Sequence, residues 1–336
     1  MQINTEQASE IITALFQAKL VPMLHGSPGM GKSAIYHQIA KEHRLFVIDH
    51  RLSQSEPTDL LGLPFFADKR ASYVPFESFP VEGDAIPEGY VGWLLLLDEF
   101  TSASIETQAA AYKLVLDRMV GLRKLHPKVL IGCAGNLESD NAIVNPMSTA
   151  MQSRLVHLEL TMDHEKWVDW AVSNGIDHRI TDFIKFKPSM LYTFSPDHTD
   201  HTYACARTWE FANRLMKHID NPKTFLPMLA GVLSEGVARE FLTFCKIYQS
   251  LPKLERIETE PDKVEVPQEP SVLFAITGSL ANRAKPDNFT QFMKYITRMP
   301  EEFQVVTLRE TVRRNPAMHN HPAVEKWAAE SMKAFF

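Results

Sequence analysis

The sequence predicts an α/β protein in which a parallel β-sheet covered by helices is followed by a largely helical second half. Up to about position 160, short apolar runs alternate with helical patterns, which is typical of parallel strands joined by crossover helices. Each run is nearly all apolar, as expected for strands that are covered on both faces. After position 160, only helical spacing of apolar residues recurs.

Five apolar runs are the predicted strands. They are Leu20–Leu24, Leu45–Asp49, Trp93–Leu97, Lys128–Cys133 and Leu155–Leu160. We expect an α/β core at 1–160, a helical segment at 161–225 and a helical C-terminal region at 226–336. A Pro- and Glu-rich stretch at 257–270 is predicted to be a linker or a long surface loop.

The composition fits a soluble enzyme or motor subunit of two or three domains. The chain has 336 residues, of which 45% are hydrophobic. Its net charge of −6 lacks the overall positive charge that is typical of proteins that bind nucleic acid. Three widely spaced cysteines, Cys133, Cys205 and Cys245, indicate a reducing compartment. No apolar segment reaches membrane-spanning length and the N-terminus lacks a signal-peptide pattern, so a cytoplasmic protein is predicted.

The strongest motif is a glycine-rich loop that directly follows the first apolar run. It fits the pattern G-x-x-x-x-G-K-[ST], in which backbone N–H groups and a helix N-terminus hold phosphate groups. Lys32 is predicted to reach the β- and γ-phosphates, and Ser33 to ligate Mg²⁺. The predicted nucleotide-binding residues are Gly26, Ser27, Pro28, Gly29, Met30, Gly31, Lys32, Ser33 and Ala34.

Polar residues follow two of the later strands. Asp98 and Glu99 end the apolar run at Trp93–Leu97, where Asp98 is predicted to hold Mg²⁺ and Glu99 to polarise the water that attacks the γ-phosphate. A polar turn or helix cap is the other interpretation of this pair. Asn136 follows the fourth strand and can help to position the attacking water, although a lone Asn there is also a common turn residue.

These motifs, in this order, resemble those of the AAA+ ATPases, and the resemblance covers roughly positions 15 to 215. Within them, the stretch from Arg51 to Gly62, above all its end Thr58-Asp59-Leu60-Leu61-Gly62, and Asp98-Glu99-Phe100 followed by Gln108-Ala109-Ala110, resemble the MoxR branch. The resemblance implies a five-stranded parallel sheet in the order 5-1-4-3-2, a helical lid at 161–225, ATP and Mg²⁺ as ligands, and a ring, commonly a hexamer.

The resemblance also implies roles for individual residues. Asn136 matches sensor 1, Arg154 the arginine finger that reaches the neighbouring subunit's nucleotide, and Arg207 the sensor 2 arginine of the lid. A guanidinium in either position can stabilise charge on the transferring phosphoryl group. Ala206 stands where relatives commonly carry a proline. Arg118 and Arg123 are further candidates for the finger role.

The segment near 62–78 resembles the β-hairpin that is inserted in helix 2 of the MoxR branch. Its aromatic and basic residues are predicted either to grip a partner or to pack on their own subunit. Relatives use ATP hydrolysis to remodel or mature a protein partner, often one with a von Willebrand factor A domain. A nucleic-acid motor or loader and a nucleotide-gated scaffold with little turnover are the alternative functions.

One further cluster, His198, His201 and Cys205, has short spacings between possible metal ligands. A structural zinc site usually offers a second pair of closely spaced ligands, and the sequence has none here. We therefore interpret 195–200 as a polar loop.

Overall fold

A computed structural model describes residues 2–67, 70–140, 142–218 and 222–334 of the chain. These residues form two compact units, Met1–Asp163 with Ser195–Thr199, and His164–Phe194 with Asp200–Phe336. Each unit has its own hydrophobic core. Among the described residues, no helix combines the length and the apolar character that crossing a bilayer requires.

The first unit is built on a parallel sheet of six strands. In spatial order they are β1 (Gln2–Ile3), β10 (Leu155–Leu160), β2 (Val21–His25), β9 (Val129–Gly135), β6 (Gly92–Asp98) and β3 (Leu45–Arg51). All five neighbouring pairs are parallel. Apart from the edge strand β1, the strands follow the order 5-1-4-3-2, and the predicted α/β fold class is confirmed. β1 was not predicted, because two residues carry no readable periodicity.

Helices cover the sheet of the first unit. They are α1 (Thr5–Gln17), α2 (Lys32–Glu42), α3 (Pro57–Leu61), α4 (Ile105–Asp117) and α5 (Thr149–Gln152). Tyr36 of α2 is fully buried, and its hydroxyl donates to the carbonyl of Cys133 at 2.9 Å. Its ring lies where a Cβ on Gly132 would stand, 2.4 Å from Tyr36 Cε1. A glycine in β9 therefore allows α2 to pack closely behind the loop that precedes it.

Two short antiparallel ribbons complete the first unit. β4 (Leu63–Ala67) pairs with β5 (Arg70–Val74), and β7 (Met119–Val120) pairs with β8 (Arg123–Lys124). The first ribbon falls within the hairpin predicted near 62–78. Asp68 and Lys69 of that prediction lie outside the described residues.

The second unit is helical. Its helices are α6 (His164–Ser173), α7 (His178–Phe186), α8 (Ala206–His218), α9 (Pro222–Leu233), α10 (Glu235–Ser250), α11 (Leu254–Thr259), α12 (Pro270–Arg283), α13 (Pro286–Ile296), α14 (Glu301–Arg314) and α15 (Pro322–Ala334). The stretch predicted as a linker or loop at 257–270 begins within α11, is irregular over 260–269 and ends at the first residue of α12. The division of this unit into a lid and a C-terminal region stays a prediction.

Candidate functional site

The glycine-rich loop connects β2 to α2 at the carboxyl edge of the sheet. Gly31 is the N-cap of α2 and has φ +90°, a conformation that side chains with a Cβ rarely adopt. A Cβ on Gly26 would lie 3.3 Å from the Cβ of Leu160 and 3.5 Å from the Sδ of Met30, so the loop begins in a confined space. The helix that follows directs its N-terminal dipole toward the loop, as a phosphate-binding loop requires.

Lys32 is buried at the first position of α2. Its ammonium donates to the carbonyls of Gly26 at 2.6 Å and Ser27 at 3.1 Å, and to Oδ1 of Asn136 at 2.9 Å. The ammonium is thereby held over the concave side of the loop, beside the end of β9. A positive charge in this position is suited to bind phosphate oxygens.

Ser33 and Asp98 bring two oxygen ligands together. The hydroxyl of Ser33 donates to Oδ2 of Asp98 at 2.5 Å, and the backbone N–H of Glu99 donates to Oδ1 of Asp98 at 2.8 Å. A serine hydroxyl and a carboxylate are the hard oxygen donors that Mg²⁺ prefers. This donor set fits the magnesium site predicted at these two residues.

Glu99 lies one residue beyond β6 in the left-handed backbone conformation, with φ 55°. For a residue other than glycine this conformation costs about 1–3 kcal/mol, and such strain often occurs at functional sites. The Ser53 hydroxyl donates to its carboxylate, and Nη1 of Arg51 lies 3.9 Å from Oε1. The position of Arg51 follows from the register of the sheet, because Arg51 pairs directly with Asp98.

Asn136 is partly buried at the end of β9, close to the loop. In addition to the contact with Lys32, its backbone carbonyl accepts from the Thr101 hydroxyl at 3.1 Å. Asp140, which is buried, accepts from the Ser27 hydroxyl at 2.9 Å and from the N–H of Leu137 at 3.3 Å. The segment after β9 is therefore attached to the phosphate-binding loop at two points.

Arg154 is exposed between α5 and β10. Its Nη1 donates to the carbonyl of Ala150 at 2.6 Å and to the Ser153 hydroxyl at 3.0 Å, and its guanidinium lies 4.8 Å from the ring centre of Tyr112. A cation over an aromatic face is held weakly at an exposed site. The structure thus presents Arg154 at the surface of the first unit, in contact with Ala150, Ser153 and Tyr112.

The two other candidate arginines of the first unit differ from each other. Arg118 is half-buried, ends α4 in a left-handed conformation and donates from Nη2 to the carbonyl of Val129. Burial lowers the pKa of its guanidinium. Arg123 is exposed on β8. The Arg118 side chain is therefore engaged in a hydrogen bond within its own chain, whereas the Arg123 side chain is accessible to solvent.

The predicted site residue Arg207 belongs to the second unit. It is exposed in the first turn of α8, next to the buried Ala206. Five predicted residues of the first unit, Lys32, Ser33, Asp98, Glu99 and Asn136, are clustered at one edge of the sheet.

Sequence reasoning missed three site residues: Arg51 and Ser53, which contact the cluster, and Asp140, which contacts the glycine-rich loop. Arg51 ends β3 and Ser53 lies two residues beyond it; because β3 neighbours β6 in the sheet, the rule that parallel strands end at one edge could have indicated both. Asp140 lies four positions after Asn136, and no spacing rule connects a turn carboxylate to a loop more than 100 positions earlier.

No protein-family model matches the chain, and no curated protein sequence matches it. Among solved structures, it is similar to a candidate ATPase from Cytophaga hutchinsonii, with 13% identity, a TM-score of 0.35 and coverage of 71% of this chain and 88% of that one.

Two further solved structures are similar over most of the chain. A mutant of RuvB from Thermotoga maritima shares 16% identity with a TM-score of 0.40, covering 88% of each chain. NtrX from Brucella abortus in complex with ADP shares 15% identity with a TM-score of 0.40, covering 87% of this chain and 63% of that one. These likenesses are distant, and the fold is assigned from the strand order and the glycine-rich loop.

Proposed function

We propose that this chain is a Mg²⁺-dependent ATPase of the AAA+ type, in its MoxR-like branch, which acts in the cytoplasm as a hexameric ring. The observation that carries the proposal is the convergence of Lys32, Ser33, Asp98, Glu99 and Asn136 at the carboxyl edge of one parallel sheet. In phosphoryl transfer, catalysis consists largely of positioning and electrostatic stabilisation, and this cluster supplies the groups for both.

Each charged or polar group of the cluster has its own role in the proposed reaction. Lys32 and the N–H groups of the loop bind the phosphate oxygens, so that negative charge is held before and during transfer. Glu99 accepts a proton from the attacking water or orients it, and the Asn136 amide hydrogen-bonds to the same water. Asp98 and Ser33 would hold Mg²⁺, which would neutralise charge on the phosphate oxygens.

The exposure of Arg154 supports the proposal that the active form of the protein is a ring. Its guanidinium is exposed, so it is accessible to a neighbouring subunit. An arginine supplied in trans can raise the rate of phosphoryl transfer by about 10³–10⁵-fold. Mixtures of Arg154→Ala subunits with Lys32→Ala subunits test this role: recovery of hydrolysis on mixing supports it, and two inactive proteins that stay inactive together contradict it.

The predicted lid at 161–225 would contribute Arg207. We propose that Arg207 contacts the nucleotide of its own subunit, which is the sensor 2 role, and that 226–336 sets the choice of partner. Arg207→Ala is expected to weaken ATP binding or slow its hydrolysis. The neighbouring exposed residue Arg214 offers no such contact in the proposal, so Arg214→Ala serves as the control.

Hydrolysis is proposed to remodel or mature a protein partner, with a von Willebrand factor A domain protein as one class. The exposed side chains of the β4–β5 hairpin support a gripping surface, because Phe65 is 57% and Phe66 77% exposed. Glu99→Gln, which should keep ATP bound, is the form to use for partner capture, with Glu99→Gln/Phe66→Ser as the control.

Stimulation of hydrolysis by DNA or RNA that falls with salt would instead favour a nucleic-acid motor.

A further inference from the structure

Two histidines on adjacent strands lie outside the cluster described above. His25 is the last residue of β2 and His157 lies within β10, and their rings lie edge to edge and nearly coplanar, with centroids 5.1 Å apart and an interplanar angle of 18°. Nε2 of His25 is 2.8 Å from Nδ1 of His157, and Nε2 of His157 is 2.9 Å from the carbonyl oxygen of Gln152. Three groups are thereby connected in one chain of hydrogen bonds.

The partners determine which ring nitrogens carry hydrogen. A carbonyl oxygen only accepts, so Nε2 of His157 must donate to Gln152. In the neutral His157 ring, Nδ1 is then the acceptor, and the hydrogen between the rings belongs to Nε2 of His25. Burial lowers the pKa of His25 to about 4, with His157 and Lys32 acting in the same direction and Glu159 opposing them, so this ring is neutral at pH 7.

The chain of hydrogen bonds connects two functional segments that are far apart in sequence. At one end, His25 directly precedes Gly26, the first residue of the phosphate-binding loop. At the other end, Gln152 is the last residue of α5 and lies two positions before Arg154. The Arg154 guanidinium is itself held by the carbonyl of Ala150 in the same helix, so α5 and the arginine move together.

We propose that His25 and His157 are positioning residues, which attach the segment carrying Arg154 to the start of the phosphate-binding loop and so fix the arginine that one subunit offers to the next. This inference rests on the proposed ring ATPase. It differs from the finger assignment itself, because neither histidine is expected to touch nucleotide. The pair acts through the backbone at Gln152.

The test places the substitution on subunits that cannot hydrolyse ATP themselves. His157→Phe keeps an aromatic ring but neither accepts from His25 nor donates to Gln152, and His157 is exposed, so the core is undisturbed. Wild-type protein is mixed with increasing amounts of Lys32→Ala, Lys32→Ala/His157→Phe or Lys32→Ala/Arg154→Ala, and its ATP hydrolysis is measured. Lys32→Ala/His43→Phe, which changes an exposed histidine of the same unit, is the matched control.

We expect Lys32→Ala/His157→Phe to depress wild-type hydrolysis nearly as strongly as Lys32→Ala/Arg154→Ala does, and more than Lys32→Ala or the His43 control. As a homogeneous protein, His157→Phe should lower kcat roughly tenfold with little change in KM. His157→Gln, which can both accept and donate, should restore part of the loss.

Two results would overturn the inference. Mixing curves for Lys32→Ala/His157→Phe and Lys32→Ala that coincide would show that His157 does not act on the neighbour. Coinciding curves for Lys32→Ala/Arg154→Ala and Lys32→Ala would remove the arginine on which the pair is proposed to act. A wild-type protein without hydrolysis would instead refute the proposed function, so the two failures are distinguishable.

Discussion

Lys32 and Asn136 are connected by a hydrogen bond of 2.9 Å from the lysine ammonium to the amide oxygen, although they lie 104 positions apart in sequence. The contact joins the loop after β2 to the end of the neighbouring strand β9. It requires that the amide oxygen of Asn136 faces the lysine, which leaves the amide N–H₂ group available as a donor to water. Asn136 is therefore placed to contact the phosphate-binding loop through its amide oxygen and a water molecule through its amide N–H₂ group, and so to assist hydrolysis.

Replacement of Asn136 should affect turnover more than binding. Asn136→Ala removes a donor to the attacking water, whereas Lys32 keeps its contacts with the carbonyls of Gly26 and Ser27, so we expect kcat to fall by about 10²-fold, as for other positioned donors. Steady-state kinetics check this, together with titration of a fluorescent nucleotide. A variant with unchanged kcat and weakened nucleotide binding would show that Asn136 supports nucleotide binding at the loop and takes no part in hydrolysis.

The contact between Ser53 and Glu99 predicts a smaller effect on the same step. A hydrogen bond to a charged group contributes about 1.5–3 kcal/mol, and Ser53→Ala removes one that holds the Glu99 carboxylate. We expect kcat to fall roughly tenfold with KM little changed. Gln54→Ala alters the exposed next residue and is the control. A rise in kcat would mean that Ser53 restrains Glu99 in an inactive orientation.

A buried group of charges in the second unit predicts a large effect on stability. Glu310 is 4% exposed and contacts Lys185, whose ammonium also lies 3.5 Å from Oδ1 of the buried Asp182. Breaking a buried ion pair by removing one partner typically costs about 3–5 kcal/mol, because the other charge stays buried. Glu310→Ala should lower the free energy of unfolding accordingly.

Denaturant unfolding followed by circular dichroism measures this loss. Glu302→Ala, an exposed position on the same helix α14, is the control and should change stability little. Glu310 also accepts from Arg313 at 2.8 Å and Lys185 also contacts Asp182, so the replacement Lys185→Met/Glu310→Leu, which removes only this pair, should recover part of the lost stability. Equal losses for Glu310→Ala and Glu302→Ala would show that the buried pair does not stabilise the unit.

Burial of His25 predicts that the protein is destabilised by acid. The pKa of His25 is lowered from 6.5 to about 4 in the folded chain, so the unfolded chain binds more protons between these pH values. The free energy of unfolding should therefore fall as pH drops from about 6.5 toward 4. His50 and His178, whose pKa values are also lowered by burial, add to the same trend.

His25→Asn should reduce this pH dependence without abolishing it, since the other two histidines remain. Unfolding at a series of pH values checks the slope, with His43→Asn as the control. Parallel curves for wild type and His25→Asn over this range would contradict the lowered pKa.

The fold and the centre of the candidate site were predictable because both depend on local patterns. Five apolar runs and one glycine-rich loop determine the sheet, and the residues that end β6 and β9 follow from the rule that parallel strands share an edge. The same rule indicates that Ser53 lies near Glu99, but the individual hydrogen bonds, from Ser53 to Glu99 and from Ser27 to Asp140, were not predictable in the same way. They depend on strand register and on the path of turns, which no single motif encodes.

The burial of charged residues in the second unit was even less predictable from the sequence. Asp182, Lys185 and Glu310 have the spacing of ordinary surface residues on helices, where charged side chains are usually solvated. Their burial results from the packing of α7, α12 and α14, and Gly278 of α12 lies so close that a Cβ there would be 1.7 Å from Oδ2 of Asp182. Helix packing of this kind is decided by side chains far apart in sequence.

The measurement that tests the central claim most directly is phosphate release from ATP by the wild type and by Glu99→Gln, with and without Mg²⁺. We predict Mg²⁺-dependent release by the wild type, and a loss of at least about 10²-fold for Glu99→Gln, which should still bind ATP. Lys32→Ala should lose both binding and release. A wild type that releases no phosphate, or a Glu99→Gln protein that hydrolyses ATP at the wild-type rate, would contradict the proposed ATPase.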